Sequence, residues 1–285
     1  MAGPLGHFAG PFSSDLFNVC KLIFFFCWFF IFQVAKRIIR DDDAYNAHLT
    51  CLSNLPQTIQ LIRDKLSVDG MKKFTDSCFG HFMQMKTVVF CGGFVHQLLL
   101  HQVESEHKGV MEFEFHGIGA RFDKKAFAMV TGLNCGKFPK DLELTNLPYD
   151  LWDKFFGTGG PLVQSDFVKA FEELEFNDHS DKGVEEAVKC CMFFFLETVL
   201  IPGEKKRLVK NDNFRIIQNT KLGEKYPWGN LSYDATIACL RSRIKPEKRV
   251  LNYSVYGFPI AFQVIYNTNL CLTVLHTICF LNFNI

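Results

Sequence analysis

Apolar positions recur every three or four residues through most of the middle of the chain, which is the spacing of amphipathic helices. Leu55, Ile59 and Ile62 show it most simply, and Asp69–Gly70 marks a break after them. The pattern predicts helices over the following ranges: 55–67, 78–103 with a joint at Gly92–Gly93, 123–132, 166–175, 184–201 and 232–244.

Residues 110–122 change to a two-residue period. Met111, Phe113 and Phe115 alternate with polar or smaller residues, as in a half-buried strand. The glycine-containing stretch that follows can turn the chain, and 120–122 can return it as a short second strand. This segment therefore predicts a small β-hairpin.

The pattern as a whole predicts an α+β fold, mainly α: a compact multi-helix domain with one small β-hairpin near 110–122. Asp123, Ser165 or Asp166, and Ser232 are the expected helix N-caps, while Gly132 is the expected end of a helix. The chain divides into four predicted parts: an apolar segment 1–40, a linker with a helix at 41–70, the domain at 71–264, and an uncharged apolar tail at 265–285.

The N-terminal apolar segment has several interpretations. Leu22–Phe32 is an unbroken apolar run, and extending it to 16–35 reaches the roughly 20 residues that a membrane-spanning helix needs. The interpretations are a transmembrane anchor, a signal sequence without a cleavage site, a gene-model artefact from translated non-coding sequence, and a buried helix. The tail at 265–285 could be a weaker anchor or an artefact of the same kind, since it is apolar but rich in Asn.

Composition narrows the class of protein without naming an activity. Hydrophobic residues make up 48% of the chain and the net charge is +1, which indicates a globular rather than a disordered protein. The eleven cysteines are scattered and no C-x-x-C occurs, so reduced and mostly buried thiols of an intracellular protein are the simplest interpretation.

Charge is unevenly distributed along the domain. Residues 141–181 carry ten Asp or Glu against two Lys, whereas residues 203–249 carry twelve Lys or Arg against five Asp or Glu. The basic segment also contains aromatic residues, a combination that suits single-stranded nucleic acid. The alternative is that the two segments neutralise each other within one fold and that the aromatic residues pack.

No motif predicts catalysis, a cofactor, a metal site or a small-molecule substrate. The glycine-rich stretch 157–161 ends in Pro161 where a phosphate-binding loop needs Lys and Ser or Thr. His96 and His101 lie five residues apart and lack the glutamate of a zinc-binding helix. The cysteines show no local nucleophile signature. We therefore predict that the chain is not an enzyme.

Several blocks resemble a known family, the plant domain of unknown function numbered nineteen-eighty-five. The resemblance spans about 71–264 and begins with Ser77–Phe82. Its most specific blocks are Thr-Gly-Leu-x-Cys-Gly and Tyr-Pro-Trp-Gly, in that order. The residues that carry it, which we interpret as determinants of the fold, are Arg121, Phe122, Thr131, Gly132, Leu133, Cys135, Gly136, Tyr226, Pro227, Trp228, Gly229, Gly257, Phe258 and Pro259.

The resemblance implies a transposon-related protein from a family without an established activity, often found upstream of a ubiquitin-like (SUMO) protease domain. No catalytic block of that protease is present here. The expected function is a non-enzymatic interaction or targeting module with a protein partner. The alternatives are a membrane-anchored protein through 16–35 and a nucleic-acid-binding module through 203–249. The expected location is the nucleus or cytoplasm if the N-terminal run is an artefact, and a membrane if it is real.

Overall fold

The computed structural model describes residues 36–85, 88–115, 118–140, 147–209 and 211–266. Four strands are present in these residues: β1 (His48–Cys51), β2 (Met111–Phe115), β3 (Ile118–Phe122) and β4 (Asn252–Val255). The helices are α1 (Leu55–Lys65), α2 (Val68–Thr75), α3 (Gly92–Leu100), α4 (Lys124–Thr131), α5 (Asp150–Phe156), α6 (Gln164–Glu173), α7 (Asp181–Phe195), α8 (Asp212–Gln218), α9 (Thr220–Lys225), α10 (Trp228–Arg241) and α11 (259–266). The prediction of a mainly helical α+β fold is confirmed.

The predicted hairpin is present as the antiparallel pair β2–β3. Met111 pairs with Phe122 at its open end and Phe115 pairs with Ile118 next to the turn. Met111 and Phe113 are buried, as the alternation predicts, and the returning strand starts at Ile118 rather than at Ala120. The sequence predicts the hairpin because one face of it is buried in the core, which imposes the alternation of apolar and polar residues.

Helix α4 has the two ends that its sequence predicts. The Asp123 carboxylate accepts a hydrogen bond from the Ala126 backbone N–H at 2.9 Å, as an N-cap does. Gly132 follows the helix in the left-handed conformation, with φ +67°, which favours glycine because it lacks Cβ. These local signals fix both the length and the exit direction of the helix.

Helix α7 lies at the centre of the core. It starts at Asp181, three residues before the predicted start, because the Ser180 hydroxyl caps it by accepting the Gly183 N–H at 3.1 Å. Its C-terminal half and the π-helical turn Leu196–Leu200 that continues it are buried on every side. Phe193 stacks on Phe214 at 4.6 Å and Phe194 stacks on Phe171 at 3.8 Å between ring centroids. A helix that is apolar all round is a core helix, and the C-terminal half of α7 fits this description.

A second strand pair was not predicted. Strands β1 and β4 are parallel, and His48 pairs with Asn252 while Cys51 pairs with Val255. The hydrophobic core includes Leu49, Leu55 and other side chains that precede Met71. The division of the chain at residue 71 stays a prediction, but the core itself continues across that position.

Three local predictions were wrong. The helix predicted from Ser232 is α10, which begins at Trp228 after Pro227, and the Ser232 hydroxyl is buried inside it and donates to the Leu200 carbonyl at 2.7 Å. Neither Ser165 nor Asp166 is an N-cap, since α6 already begins at Gln164. The break predicted at Asp69–Gly70 lies within α2, which Ser67 caps instead.

Two segment predictions also need correction. Of the helix predicted over 78–103, the structure has a 3₁₀ turn at Gly80–Gln84 and the helix α3, and Gly92–Gly93 begin α3 instead of joining two helices. The stretch after Pro202, expected to be a basic loop as far as Lys225, contains the short helices α8 and α9. The domain boundary predicted at 265 stays a prediction, while the first two tail residues, Ile265 and Tyr266, are buried at the end of α11. The tail beyond 266 and the N-terminal segment 1–35 lie outside the described residues.

Candidate functional site

The two most specific sequence blocks meet in space. Gly229 at the start of α10 donates its backbone N–H to the Asn134 carbonyl at 2.9 Å. The Asn134 side chain donates to the Lys225 carbonyl at 2.7 Å, and the Asn230 side chain donates to the Gly136 carbonyl at 2.5 Å. The segment after α4 is therefore fixed to the start of α10 by three hydrogen bonds that involve the backbone.

Gly229 is required by this close approach. A Cβ added there would lie 2.4 Å from the Cys135 sulfur and 2.8 Å from the Asn134 carbonyl oxygen, distances that real Cβ atoms do not show. Glycine lets the helix start touch the neighbouring backbone without a side chain between them. Gly229 of the Tyr-Pro-Trp-Gly block thus contacts Cys135 of the Thr-Gly-Leu-x-Cys-Gly block.

A half-open cleft of about 460 Å³ lies beside this contact. Its volume is in the range of roughly 300–1,000 Å³ that small-molecule and side-chain pockets occupy. Three segments line it: the turn after α2, the segment after α4, and the α9–α10 junction. The residues of these segments that face it are Thr75, Ser77, Cys78, His81, Gln84, Gly132, Leu133, Asn134, Glu224, Tyr226 and Trp228.

Aromatic side chains form one side of the cleft. The centroids of the Tyr226 and Trp228 rings are 4.5 Å apart, and the Trp228 indole N–H donates to the Gly223 carbonyl at 2.8 Å. Phe138 contacts Tyr226 with a centroid distance of 5.7 Å and is 46% exposed. An exposed aromatic ring therefore lies next to the rings that line the cleft.

His81 connects the cleft to the end of α4. Its Nε2 lies 2.6 Å from the Thr131 carbonyl oxygen, and because a carbonyl can only accept, Nε2 is the protonated nitrogen. The ring also lies 3.3 Å from the position that a Cβ on Gly132 would occupy. The histidine is thus held in one tautomer beside the backbone of the Thr131–Gly132 block.

Cys78 and Glu224 are in contact at the cleft. The Glu224 carboxylate accepts the Cys78 backbone N–H at 2.8 Å, and the Cys78 thiol lies 3.8 Å from the Gly223 carbonyl oxygen. Burial raises the pKa of the Glu224 carboxyl above its ordinary value. Burial, assisted by the negative charge of Glu224, raises the pKa of the Cys78 thiol far above its ordinary value.

This arrangement lacks an activated nucleophile. A catalytic thiol is normally made reactive by a lowered pKa, through a neighbouring cation or a helix N-terminus. Burial raises the pKa of Cys51 to about 12, and burial also raises the pKa of Cys135 and Cys239. The thiol at the cleft, Cys78, faces a carboxylate rather than a cation, which keeps it protonated near neutral pH.

The histidines singled out in the sequence have structural partners. His96 is buried, with Nδ1 2.8 Å from the Tyr253 hydroxyl and Nε2 2.7 Å from the Tyr45 carbonyl oxygen. His101 stacks on Phe115 with a centroid distance of 4.9 Å. Across the described ranges, no group of three or more His, Cys, Asp or Glu side chains is placed to hold a metal ion.

The remaining family-motif residues lie away from the cleft. Phe122 is buried against Tyr233, with a centroid distance of 5.5 Å, and Arg121 is exposed beside Asp123. Gly257 has φ +76°, and the Phe258 N–H that follows it donates to the Thr236 hydroxyl at 2.7 Å. Pro259 begins α11. The structure thus brings two of the blocks together at the cleft, while Phe122 and Phe258 contribute to the core and Arg121 lies at the surface.

Sequence reasoning missed most of the polar cleft residues. Cys78 and His81 belong to the block Ser77–Phe82 that opens the resemblance, so that block was a usable signal. Glu224 lies within the segment expected to be a basic loop, and nothing in the spacing of its neighbours separates it from other surface glutamates. Only the packing of α9 against the turn after α2 places it at the cleft.

The basic segment 203–249 does not present its aromatic rings to solvent. Phe214, Tyr226, Trp228 and Tyr233 are all buried. Base stacking needs an exposed ring face, so this half of the nucleic-acid hypothesis finds no support in the segment. Binding through phosphate attraction alone stays a prediction.

The arginines of this segment are largely engaged within the fold. Arg207 contacts the carboxylate of Glu197, and Arg215 donates to the Leu147 carbonyl. Arg241 donates to backbone carbonyls of the loop before β2. In the part of the chain that the structure describes, no helix has the length and apolarity to cross a bilayer. Residues 16–35 lie outside that part.

The fold and cleft define a mainly helical α+β domain built around a shared contact between two sequence blocks. Residues 99–239 match the family described as Domain of unknown function (DUF1985), and this part of the chain is a DUF1985 domain. The resemblance that the motifs carried is confirmed over this range. No curated protein and no solved structure matches the chain.

The matched range divides the cleft. Gly132, Leu133, Asn134 and the α9–α10 junction lie within 99–239, whereas Thr75 to Gln84 precede it. The cleft is therefore formed by the recognised domain together with the segment that packs on its N-terminal side.

Proposed function

We propose that this protein is a non-enzymatic interaction module and that the cleft binds a short segment of a partner protein. The observation that carries the proposal is the cleft itself, which lies where the two specific family blocks meet, with the exposed Phe138 in contact with the Tyr226 ring that lines it. Grooves and pockets with aromatic residues at their edge are common sites of peptide recognition.

The chemistry of the cleft favours binding over catalysis. The Cys78 thiol is protonated, and the one cleft histidine uses Nε2 to hold the Thr131 carbonyl. A nucleophile and a base in hydrogen-bond contact would be needed for acyl transfer. Backbone carbonyls, amides and a carboxylate, by contrast, are groups that position a bound chain.

The origin of the module is part of the same proposal. The match to the DUF1985 family carries no role of its own, and the transposon-derived interaction or targeting role is proposed from the resemblance of the sequence motifs. In this view the domain serves to bring a protein partner to its site of action, and a SUMO protease activity would belong to another domain or another chain.

The proposal is tested with a phage-displayed library of random dodecapeptides selected against the purified chain. We expect enriched peptides whose affinity falls at least about tenfold in Gln84→Trp, because Gln84 lines the cleft and the larger side chain would fill it. Gln57→Trp, the same substitution at an exposed position on α1 outside the cleft, is the matched control and should bind as the unaltered protein does.

Two results would overturn the proposal. One is a selection that enriches no peptide, and the other is a set of peptides that bind Gln84→Trp and the unaltered protein equally well. Circular dichroism of each variant shows that loss of binding is not loss of folding.

A further inference from the structure

Strand β3 is the edge of a sheet that extends beyond the β2–β3 hairpin. Val103 donates its backbone N–H to the Glu112 carbonyl at 2.9 Å, and Glu114 donates its backbone N–H to the His101 carbonyl at 3.0 Å. Residues 36–38 pair with this same segment from its other side. Within the described residues, no further strand pairs with β3 beyond β2.

The hairpin register shows which backbone groups of β3 point away from β2. Opposite residues of an antiparallel pair alternate between exchanging two hydrogen bonds with each other and exchanging none. Glu112 and Glu114 direct their backbone groups to the segment before β2. Their opposite residues, Arg121 and Gly119, therefore direct theirs outward. Across the described ranges no group bonds to the backbone N–H or C=O of these two residues, so the edge offers donors and acceptors to another strand.

Charged side chains lie on the less buried face of the hairpin. Glu112 is opposite Arg121, whose side chain is 47% exposed. Glu114 is opposite Gly119, which adds no side chain. The Glu114 carboxylate lies 3.1 Å from Arg37 and, with about four acceptor sites, can bind a second cation. The edge thus ends in a cation in one row of side chains, and in a vacant position beside a carboxylate in the other.

A second copy of β3 fits this edge in one register. Antiparallel pairing centred on Ala120 sets Gly119 opposite Arg121 of the second copy, and the outward groups of these residues then make about four backbone hydrogen bonds around a two-fold axis. The incoming Arg121 lies over the vacant Gly119 position, with its Cα about 10 Å from that of Glu114, a distance that the two long side chains span. Pairing centred on Arg121 would instead set two arginines opposite each other, which like charges disfavour.

We propose that β3 is a self-association surface, at which two copies of this chain join their sheets edge to edge with Ala120 on the two-fold axis. A charge on a strand edge ordinarily discourages such pairing. Here the second copy supplies a carboxylate for the edge cation, so the charge selects this partner and this register. The contact is small, so the association is reversible and depends on concentration. It uses residues outside the cleft and does not depend on the proposed function.

Sedimentation velocity of the purified full chain over a series of concentrations measures the association. We expect a monomer–dimer equilibrium whose dissociation constant rises at least about tenfold in Arg121→Glu, because the new carboxylate would face Glu114 of the second copy. Arg121→Lys keeps the cation and should associate as the unaltered protein does. Arg40→Glu is the matched control, since Arg40 is also exposed and paired with a nearby aspartate, and it should change nothing.

The register is tested with Ala120→Cys. In the proposed pairing Ala120 is opposite Ala120 of the second copy in a non-hydrogen-bonded pair, where Cα atoms lie about 4.5 Å apart, within the range of disulfides. Copper–phenanthroline as the added oxidant should therefore link two copies of this variant through position 120, which peptide mapping by mass spectrometry detects. Ile118→Cys is the matched control, because position 118 would be opposite Phe122, and it should give no linked dimer beyond that of the unaltered protein.

Three results would overturn this inference. One is a chain that stays monomeric at every concentration, and another is a dimer that Arg121→Glu leaves intact. The third is linkage of Ile118→Cys as readily as of Ala120→Cys, since the strands would then not pair in this register. A dimer that depends on the cation at position 121 and is linked through position 120 supports it. Circular dichroism of each variant shows that loss of association is not loss of folding.

Discussion

The buried ion pair between Glu197 and Arg207 gives the sharpest prediction for stability. Glu197 lies in the π-helical turn after α7 and its side chain is fully buried, while the Arg207 side chain is 29% exposed. One Arg207 nitrogen lies 2.5 Å from the carboxylate, and the Asn213 side chain donates to the other oxygen at 3.0 Å. The perturbation is Arg207→Met, which keeps much of the aliphatic stem and removes the cation.

The size of the effect follows from burial. Removing one partner of a fully buried pair costs about 3–5 kcal/mol, because the other charge stays in a low-dielectric site. Water reaches part of the Arg207 side chain, so we expect a smaller loss, about 2–3 kcal/mol of unfolding free energy for Arg207→Met. Glu197→Gln should cost less, since Arg207 can regain water. The double variant should lose about 2 kcal/mol less than the sum of the two single variants.

Urea denaturation measures these free energies, with the fluorescence of the buried Trp152 and Trp228 as the signal. The control pair is Lys36 and Glu104, which are 2.8 Å apart but 79% and 58% exposed. Their double-mutant cycle should give about 0.5 kcal/mol or less, because solvent screens exposed pairs. Equal coupling energies for the two pairs would refute the reasoning that burial, rather than distance, sets the strength of the Glu197–Arg207 interaction.

Two further predictions concern the core and the contact between the family blocks. Burial lowers the pKa of His96 in the folded protein. The unfolded chain therefore takes up a proton on His96 at a higher pH than the folded protein does. The folded state should lose stability as the pH falls below about 6.5, by at most about 1.4 kcal/mol per pH unit. Urea titrations at pH 7.5 and 5.5 measure this loss, which should be smaller in His96→Gln, and an equal loss in both proteins would contradict the assignment. Gly229→Ala should destabilise the fold by about 1–3 kcal/mol, because its Cβ would overlap the Cys135 sulfur and the neighbouring backbone. Gly93→Ala in α3, where nothing lies within 4 Å of an added Cβ, should instead stabilise the folded state by about 0.5–1 kcal/mol. Urea denaturation midpoints that moved in the same direction for both substitutions would count against this account.

Local signals predicted the elements whose determinants are close together in sequence. The β2–β3 hairpin depends on an alternation over a dozen residues, and Asp123 and Gly132 delimit α4 by contacts with their own neighbours. The start of α10 was missed because Ser232, a residue typical of an N-cap, is instead satisfied by the distant Leu200 carbonyl. A serine that hydrogen-bonds within the core gives the same sequence signal as one that begins a helix.

The cleft could be predicted only in part. The Thr131–Gly136 and Tyr226–Gly229 blocks were both recognised as parts of the family resemblance. Their contact was not predicted, since it depends on a glycine that lets two backbones approach. Glu224 carried no signal at all, because only the packing of α9 against the turn after α2 brings it to the Cys78 backbone N–H. Spacing along the chain reports periodicity, and it does not report which distant segments pack together.

The parallel pair β1–β4 has a consequence for how the protein is made. About two hundred residues separate the two strands, so β1 leaves the ribosome long before its partner exists. At a synthesis rate of roughly 5–20 residues per second, Leu49 and its neighbours wait on the order of 10–40 s with their backbone groups unpaired. During that interval the backbone N–H and C=O groups of β1 are open to pairing with the strands of other chains.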